Sequence, residues 1–130
     1  FAHEVQLHGW TQRFSCDSAG TGGWHEGESP DPRTIRTLSD HGIRWVSRAR
    51  KICRSDFDQF DLIIAMDRTN LTDLLDHPRA NPEKIKLLLE YAADTPRDEV
   101  PDPYYGSPAG FEETYRLCLA GVQGLLQALS

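Results

Sequence analysis

The sequence predicts an α/β domain in which a parallel sheet is covered by helices on both faces. Consecutive apolar residues at 62–66 (LIIAM) are typical of a strand buried on both sides, and residues 85–89 (IKLLL) are a second candidate. Helical patterns alternate with these segments along the chain, which favours a parallel arrangement of the strands. The 130 residues contain no internal repeat and have the length of one domain, which we place at residues 1–130.

The chain opens with patterns of a helical turn and a short strand. Phe1 and Val5 fall on one helical face, and Gly9 ends that turn. Phe14 and Cys16 alternate with polar neighbours, which predicts a strand.

A glycine-rich segment and a helix are predicted next. Residues 18–23 (SAGTGG) lack both the lysine of a Walker loop and the spacing of a dinucleotide-binding fingerprint. Residues 29–33 (SPDPR) are typical of a helix start, with Ser29 as the N-cap and the prolines in the first turn. Gly42 stands where a C-terminal glycine belongs. For the basic residues 47–50 (SRAR), a surface connector is favoured over a contact with phosphate.

Two further helices follow the buried strands. Asp67, directly after the first apolar run, can cap a helix that ends at His77 and Pro78. Near the C-terminus, apolar side chains recur at alternating spacings of four and three, which predicts a long amphipathic helix packed on the sheet. They are Phe111, Tyr115, Cys118, Val122, Leu125 and Leu129.

Composition excludes several classes of function. A net charge of −6 argues against a dedicated nucleic-acid binder and against a polybasic membrane contact, and no apolar run is long enough to span a membrane. Three widely spaced cysteines form neither a disulfide framework nor a zinc pattern, and the five histidines lack ligand spacing. We therefore expect a cytoplasmic monomer without metal or cofactor, and with neither nucleic acid nor membrane as partner.

The strongest candidate for a catalytic segment is residues 100–106 (VPDPYYG). Each proline fixes its own φ and restricts the residue before it, so Asp102 has little backbone freedom. One interpretation is a general acid beside the aromatic rings of Tyr104 and Tyr105. The other is a rigid turn with a solvated aspartate, and these residues alone do not decide between the two.

Two short motifs stand near the two ends of the chain: DSAGT at residues 17–21, and DPYYG at residues 102–106 just before the C-terminal amphipathic helix. Further short segments lie between them: Trp24, Gly27, SPDPR at 29–33, HGI at 41–43, AR at 49–50, DF at 56–57, FD at 60–61, AMD at 65–67 and NL at 70–71. In this order and spacing, over nearly the whole chain, they make the sequence resemble the low-molecular-weight protein tyrosine phosphatases, and the first pair is the most specific match.

The resemblance implies a flavodoxin-like, doubly wound fold with four parallel strands, and hydrolysis of phosphotyrosine in proteins and of aryl phosphates. In that family a cysteine thiolate in a C-x5-R loop attacks phosphorus and forms a phosphocysteine. Asp102 would protonate the departing tyrosyl oxygen and then activate water. Trp24, Tyr104 and Tyr105 would contact the substrate ring, and Ser18 would support the phosphate loop by hydrogen bonding.

The chain departs from the family at the nucleophile. Six positions after Cys16, Cys53 and Cys118 stand Gly22, Gln59 and Gly124, so none of the three begins a C-x5-R loop. A cysteine and an arginine near residue 53 copy the end of that loop only superficially, and we interpret Cys53 as structural or incidental.

The first residue matches a position inside the family's first helix, which predicts that the first strand and the phosphate loop are missing. We expect the strand edges beside such a gap to lack partners, so that the chain folds poorly. We also expect the 130-residue chain to be inactive, although the resemblance implies that the complete enzyme is a phosphatase.

Three alternatives remain open at the level of sequence. An arsenate reductase on the same fold is disfavoured, since such enzymes carry a redox cysteine pair after the third strand and residues 66–73 contain no cysteine. An arginine phosphatase remains possible because the residue that decides this choice would lie in the missing segment. A non-catalytic binding module is the third, and an aspartate at position 102 would then have no obvious use.

Overall fold

The structure is a computed structural model that describes residues 1–23, 26–44, 48–93, 95–103 and 108–130. Its α-helices in these ranges are α1 (Ala2–Leu7), α2 (Pro32–Asp40), α3 (Asp56–Gln59), α4 (Arg68–Leu75) and α5 (Pro108–Leu129). Its strands are β1 (Ile63–Ala65) and β2 (Ile85–Leu87), and short 3₁₀ turns occupy Pro82–Lys84 and Leu88–Glu90. The expected alternation of strands and helices is confirmed.

The two strands form a parallel pair in which Ile63 lies beside Ile85 and Ala65 beside Leu87. Parallel neighbours need a crossover connection, and α4 supplies it. Both strands are shorter than the apolar runs that predicted them. After β2 the chain turns into the 3₁₀ segment Leu88–Glu90. Leu88 and Leu89, the last two residues of the second apolar run, therefore belong to the core but not to the sheet.

The sheet is covered on both faces, as the continuous apolar run requires. Ile63, Ala65, Ile85 and Leu87 lie on one face, in a cluster with Phe57 of α3 and Leu74 of α4. The side chain of Ile64 points the other way, because side chains alternate along a strand, and it packs against the cluster built on α5. That second core contains Val5, Leu88, Leu89, Val100, Val122, Leu125 and Leu126.

Two glycines of α5 allow this long helix to approach the chain after β2 closely. A Cβ atom at Gly121 would lie 2.6 Å from Cγ of Leu88, and one at Gly124 would overlap the carbonyl of Tyr91. The absence of side chains at these two positions therefore sets the distance between α5 and the chain after β2, which the spacing of apolar residues alone does not predict.

The strand predicted at Phe14 and Cys16 is absent from the described structure. Within the described residues the segment before Gly20 forms no ladder, and an isolated parallel bridge joins Gly20 to Lys51. A strand is defined by the neighbour that accepts and donates its hydrogen bonds, so alternation of apolar residues was insufficient evidence here. The fold class itself, α/β with a parallel sheet and helices, is confirmed.

The N-cap of helix α2 lies two residues after the predicted one. Asp31, not Ser29, is its N-cap, and the Asp31 carboxylate accepts a hydrogen bond from the backbone N–H of Arg33 at 2.8 Å. Pro32 occupies the first helical position, where its missing N–H costs nothing, so the preceding residue must be the cap. At the other end Gly42 adopts φ +75°, as predicted from its place after the helix.

Candidate active site

The aspartate between the two prolines lies in a segment tied to the carboxyl end of β1. The N–H of Val100 donates to the carbonyl of Met66, the residue after β1, at 2.8 Å, and the Val100 side chain is buried. Asp102 itself is exposed. Open α/β sheets bind ligands outside the carboxyl ends of their strands, so the segment that carries Asp102 begins at the edge where such folds place their chemistry.

Helix α5 binds the residue before Asp102 and lies beside the residue after it. The hydroxyl of Thr114 donates to the carbonyl of Pro101 at 3.3 Å. A Cβ atom at Gly110 would lie 3.7 Å from Cβ of Pro103, which is ordinary contact distance. Gly110 and Thr114 are four residues apart and therefore share one face of the helix.

Helix α4 holds the residues just before Val100. The Glu99 carboxylate accepts a hydrogen bond from the N–H of Arg68, the first residue of α4, at 2.8 Å, and Asp98 pairs with the Arg68 side chain. A carboxylate at a helix N-terminus satisfies a free N–H and complements the helix dipole. Asp67 caps the same helix through the N–H of Asn70, as its position after the apolar run predicted.

Ser18 lines a shallow cleft of about 220 Å³. Its hydroxyl-bearing side chain is exposed, and its N–H donates to Asp17 at 2.8 Å. The cleft is bounded by the glycine-rich segment, by the residues before α2 and by the basic segment that bridges to Gly20. Its lining residues are Ser18, Ala19, Gly20, Glu28, Ser29, Pro30, Arg48, Ala49 and Arg50.

Arg50 is a half-buried member of an ion-pair network, which the interpretation of its segment as a surface connector did not anticipate. It contacts Asp17 at 3.1 Å and the buried Asp56 at 2.9 Å, and the N–H of Cys53 donates to Asp56 at 2.8 Å. The hydrogen bonds from Arg50 lower the pKa of Asp56 to about 2, and burial opposes this effect. The same pair raises the pKa of Arg50 above its usual value.

The ion pair between Arg50 and Asp56 was not predicted from the sequence, because periodicity does not specify which basic side chain binds which carboxylate. The only signal was that both residues belong to matched motifs, AR at 49–50 and DF at 56–57. Arg48, the other arginine of the segment, is exposed and donates to the carbonyl of Gly27 at 3.1 Å.

The three aromatic residues assigned to the substrate ring lie outside the described residues. They are Trp24, Tyr104 and Tyr105. Their assignment stays a prediction.

Cys16 and Cys53 are exposed and Cys118 is half-buried, all as free thiols. Among the residues that the structure describes, no group of three metal-ligating side chains comes together. Within the same ranges, no helix combines the length and the apolar character needed to cross a membrane.

Comparison with known proteins decides the family. The family model for low molecular weight phosphotyrosine protein phosphatase matches residues 1–130. The chain belongs to this family. It is therefore a phosphatase by descent, a hydrolase, and the resemblance in its motifs is confirmed. Because the match spans all 130 residues, it gives no support to the expected loss of a first strand.

Relatives of this phosphatase family share both sequence and fold with the chain. A low molecular weight phosphotyrosine protein phosphatase of Schizosaccharomyces pombe is 40% identical over 132 residues, which cover 100% of this chain and 85% of the relative. A crystal structure of a protein tyrosine phosphatase from Entamoeba histolytica superposes with a TM-score of 0.91 and 35% identity, covering 96% of this chain and 81% of the other. An arginine phosphatase from Drosophila gives a TM-score of 0.89 at 30% identity, covering 99% and 85%.

Proposed function

We propose that the complete enzyme hydrolyses phosphotyrosine in proteins and that Asp102 is its general acid. The observation that carries the proposal is the anchoring of the Asp102 segment at the carboxyl end of β1, through the hydrogen bond from Val100 to Met66. An exposed carboxyl group on a restrained backbone is suited to donate a proton to a substrate that arrives from solvent.

The chemistry explains why an acid is needed. A thiolate attacks phosphorus, the P–O bond to tyrosine breaks, and its electron pair goes to the phenolic oxygen, which takes the proton of Asp102. A free tyrosine has a pKa of about 10, so its departure as an anion at neutral pH is unfavourable without that proton. In the second step the Asp102 carboxylate accepts a proton from water, which attacks the phosphocysteine and releases phosphate and the thiolate.

We further propose that the nucleophile is not one of the cysteines of these 130 residues. Cys16, Cys53 and Cys118 have no arginine six positions later, and an arginine is needed there to hold the phosphoryl oxygens. Cys118 is half-buried on α5, facing the core. The 130 residues alone should therefore be inactive toward phosphate esters.

The remaining site residues have roles assigned by their match to the family. Trp24, Tyr104 and Tyr105 would form the walls that contact the substrate ring. Ser18 would support the phosphate loop, and its exposed position in the cleft of 220 Å³ leaves its hydroxyl accessible for this contact. The described cleft residues would then lie beneath the phosphate rather than bind the tyrosine.

The test uses the protein produced from its natural gene, compared with the 130-residue chain. Asp102→Asn should lower kcat/KM for phosphotyrosine by about 10²- to 10⁴-fold, the usual contribution of a general acid. The loss should be smaller for nitrophenyl phosphate, whose leaving phenol is more acidic than tyrosine and needs the proton less. Asp73→Asn, an exposed aspartate of α4, is the matched control and should leave kcat/KM unchanged.

Two results would overturn the proposal. If Asp102→Asn hydrolyses phosphotyrosine like the parent enzyme, the acid is another residue. If the protein from the natural gene has no phosphatase activity, the chain belongs to a non-catalytic binding module of this family. Activity of the 130-residue chain by itself would overturn the assignment of the nucleophile.

Phosphoarginine is a second candidate substrate, because the likeness to the arginine phosphatase from Drosophila extends over 99% of this chain. Parallel kinetics with phosphotyrosine and phosphoarginine peptides would separate the two. An arsenate reductase is the weaker alternative, since no cysteine lies in residues 66–73.

We propose a reducing cytoplasm as the setting, because cysteines 16, 53 and 118 are all free. We also propose a monomer whose partners are phosphorylated proteins. Size-exclusion chromatography with light scattering would test the monomer.

A further inference from the structure

The backbone around Asp102 has one torsion that the prolines leave open. Pro101 and Pro103 have fixed φ, and Val100 and Asp102, which each precede a proline, are confined to extended conformations. The ψ angle of Pro101 is not fixed by either ring. This angle rotates the peptide plane that joins Pro101 to Asp102, so it swings the carboxyl group relative to the end of β1.

The carbonyl of Pro101 lies in that same peptide plane. Its hydrogen bond from the Thr114 hydroxyl, at 3.3 Å, therefore restrains the open torsion. On the other side of Asp102, Pro103 packs beside Gly110, on the same face of α5 as Thr114. The first turns of α5 thus bind the residue before Asp102 and lie beside the residue after it.

Helix α5 is a firm support for this contact. The helix contributes Val122, Leu125 and Leu126 to the second core. Phe111, three residues before Thr114, is also buried. The Val100 end is fixed independently by the hydrogen bond to Met66. Thr114 is the described side chain that connects this rigid helix to the peptide plane of Asp102.

We propose that Thr114 is a positioning residue for the general acid, acting through the carbonyl of Pro101. The inference rests on the proposed role of Asp102. Without the hydroxyl the peptide plane gains freedom, and the carboxyl group spends less time where it can protonate the leaving oxygen. Thr114 touches neither substrate nor the reacting atoms in this scheme, so its effect must pass through Asp102.

The test uses the enzyme produced from the natural gene with Thr114→Val, which keeps the shape and removes the donor, and Thr114→Ser, which keeps the donor. Because one hydrogen bond contributes about 0.5–1.5 kcal/mol, kcat/KM for phosphotyrosine should fall about two- to tenfold in Thr114→Val. Thr114→Ser should restore most of the loss. The fall should appear in the chemical step, with KM little changed.

The dependence of the rate loss on the leaving group distinguishes a positioning role of Thr114 from a general structural defect in the variant. Thr114→Val should slow phenyl phosphate more than nitrophenyl phosphate, because only the poorer leaving group needs the proton. A structural defect would slow both equally. Thr37→Val is the matched control, since the Thr37 hydroxyl also donates to a backbone carbonyl, that of Arg33 at 3.0 Å within α2, away from this segment.

A double-mutant cycle gives the decisive comparison. Thr114→Val should have no further effect in the Asp102→Asn background, because the group it positions is gone. Losses that multiply in the double variant would overturn the positioning role while leaving Asp102 as the acid. If Asp102→Asn keeps the kcat/KM of the parent enzyme, the proposed function is overturned, and this inference with it.

Folding of each variant is followed by its thermal midpoint. If Thr114→Val unfolds at the assay temperature, Thr114→Ala replaces it in the same cycle. Parent-like kcat/KM with phenyl phosphate in the folded variant would overturn the proposal.

Discussion

The guanidinium group of Arg50 meets the carboxylate of Asp56 at two points, Nη1 to Oδ2 at 2.9 Å and Nη2 to Oδ1 at 3.1 Å. Asp56 is only 5% exposed, and its carboxylate also accepts the N–H of Cys53. Arg50 reaches Asp17 as well, so the network joins α3 to the glycine-rich segment next to Ser18. This ion pair therefore helps to fix the wall of the cleft.

The Asp56 pair should make stability depend on pH in the acid range. The pKa of Asp56 is about 2 in the folded protein, below the ordinary value of about 3.9 for an unfolded chain. The unfolded chain takes up the proton first, so the contribution is fully present above about pH 4 and is lost as the pH falls through about 2. Each pKa unit corresponds to about 1.4 kcal/mol, so the difference of about two units makes the full loss about 2–3 kcal/mol.

Urea unfolding at a series of pH values measures this effect. The parent protein should lose most of this contribution between about pH 5 and pH 2, whereas Asp56→Asn should show a flatter dependence. Asp61→Asn, an exposed aspartate nearby in the chain, is the control and should keep the slope of the parent. Identical slopes for the parent and Asp56→Asn would show that the ion pair does not persist in solution.

The close approach of α5 to Tyr91 gives a prediction about packing. Gly124→Ala places a methyl group onto the Tyr91 carbonyl, so the helix must move away, and overpacking of this kind costs about 1–3 kcal/mol. Gly110→Ala is the matched control on the same helix, because its methyl group would meet Pro103 at ordinary contact distance. Denaturant unfolding should show a loss for Gly124→Ala and a small gain or no change for Gly110→Ala. Equal effects of the two substitutions would mean that α5 lies farther from Tyr91.

Periodicity predicted the parts of the fold that follow from burial alone. The apolar run at 62–66 and the alternating spacings after Phe111 correspond to β1 and α5. The strand at Phe14 was wrong because a strand depends on a partner that local sequence does not specify. The N-cap was placed at Ser29 instead of Asp31 because both have capping side chains, and only the position of the first helical turn separates them.

The site was predictable where backbone chemistry is local. The prolines beside Asp102 predict its restricted backbone. The hydrogen bond from Thr114 to Pro101 depends instead on how α5 lies across the segment. The pairing of Arg50 with Asp17, 33 residues away, is likewise set by the fold. Long-range polar contacts leave no periodic signal, so sequence alone ranked Arg50 as a surface residue.

The three cysteines should differ in their reactivity toward thiol reagents. Burial raises the pKa of Cys118 to about 11, so its thiolate fraction at neutral pH is about a hundredfold or more below that of an ordinary thiol. Cys16 and Cys53 are exposed. Mass spectrometry of peptides after brief treatment with a thiol reagent should find these two labelled and Cys118 unlabelled.

Denaturation supplies the control for the labelling experiment. In urea Cys118 should react as fast as the other two, because the unfolded chain no longer removes the thiol from water. Rapid labelling of Cys118 in the folded protein would mean that α5 opens locally at the core residues Leu125 and Leu126. The support that α5 gives to the Asp102 segment would then be weaker than the packing indicates, and the effect of Thr114→Val should shrink with it.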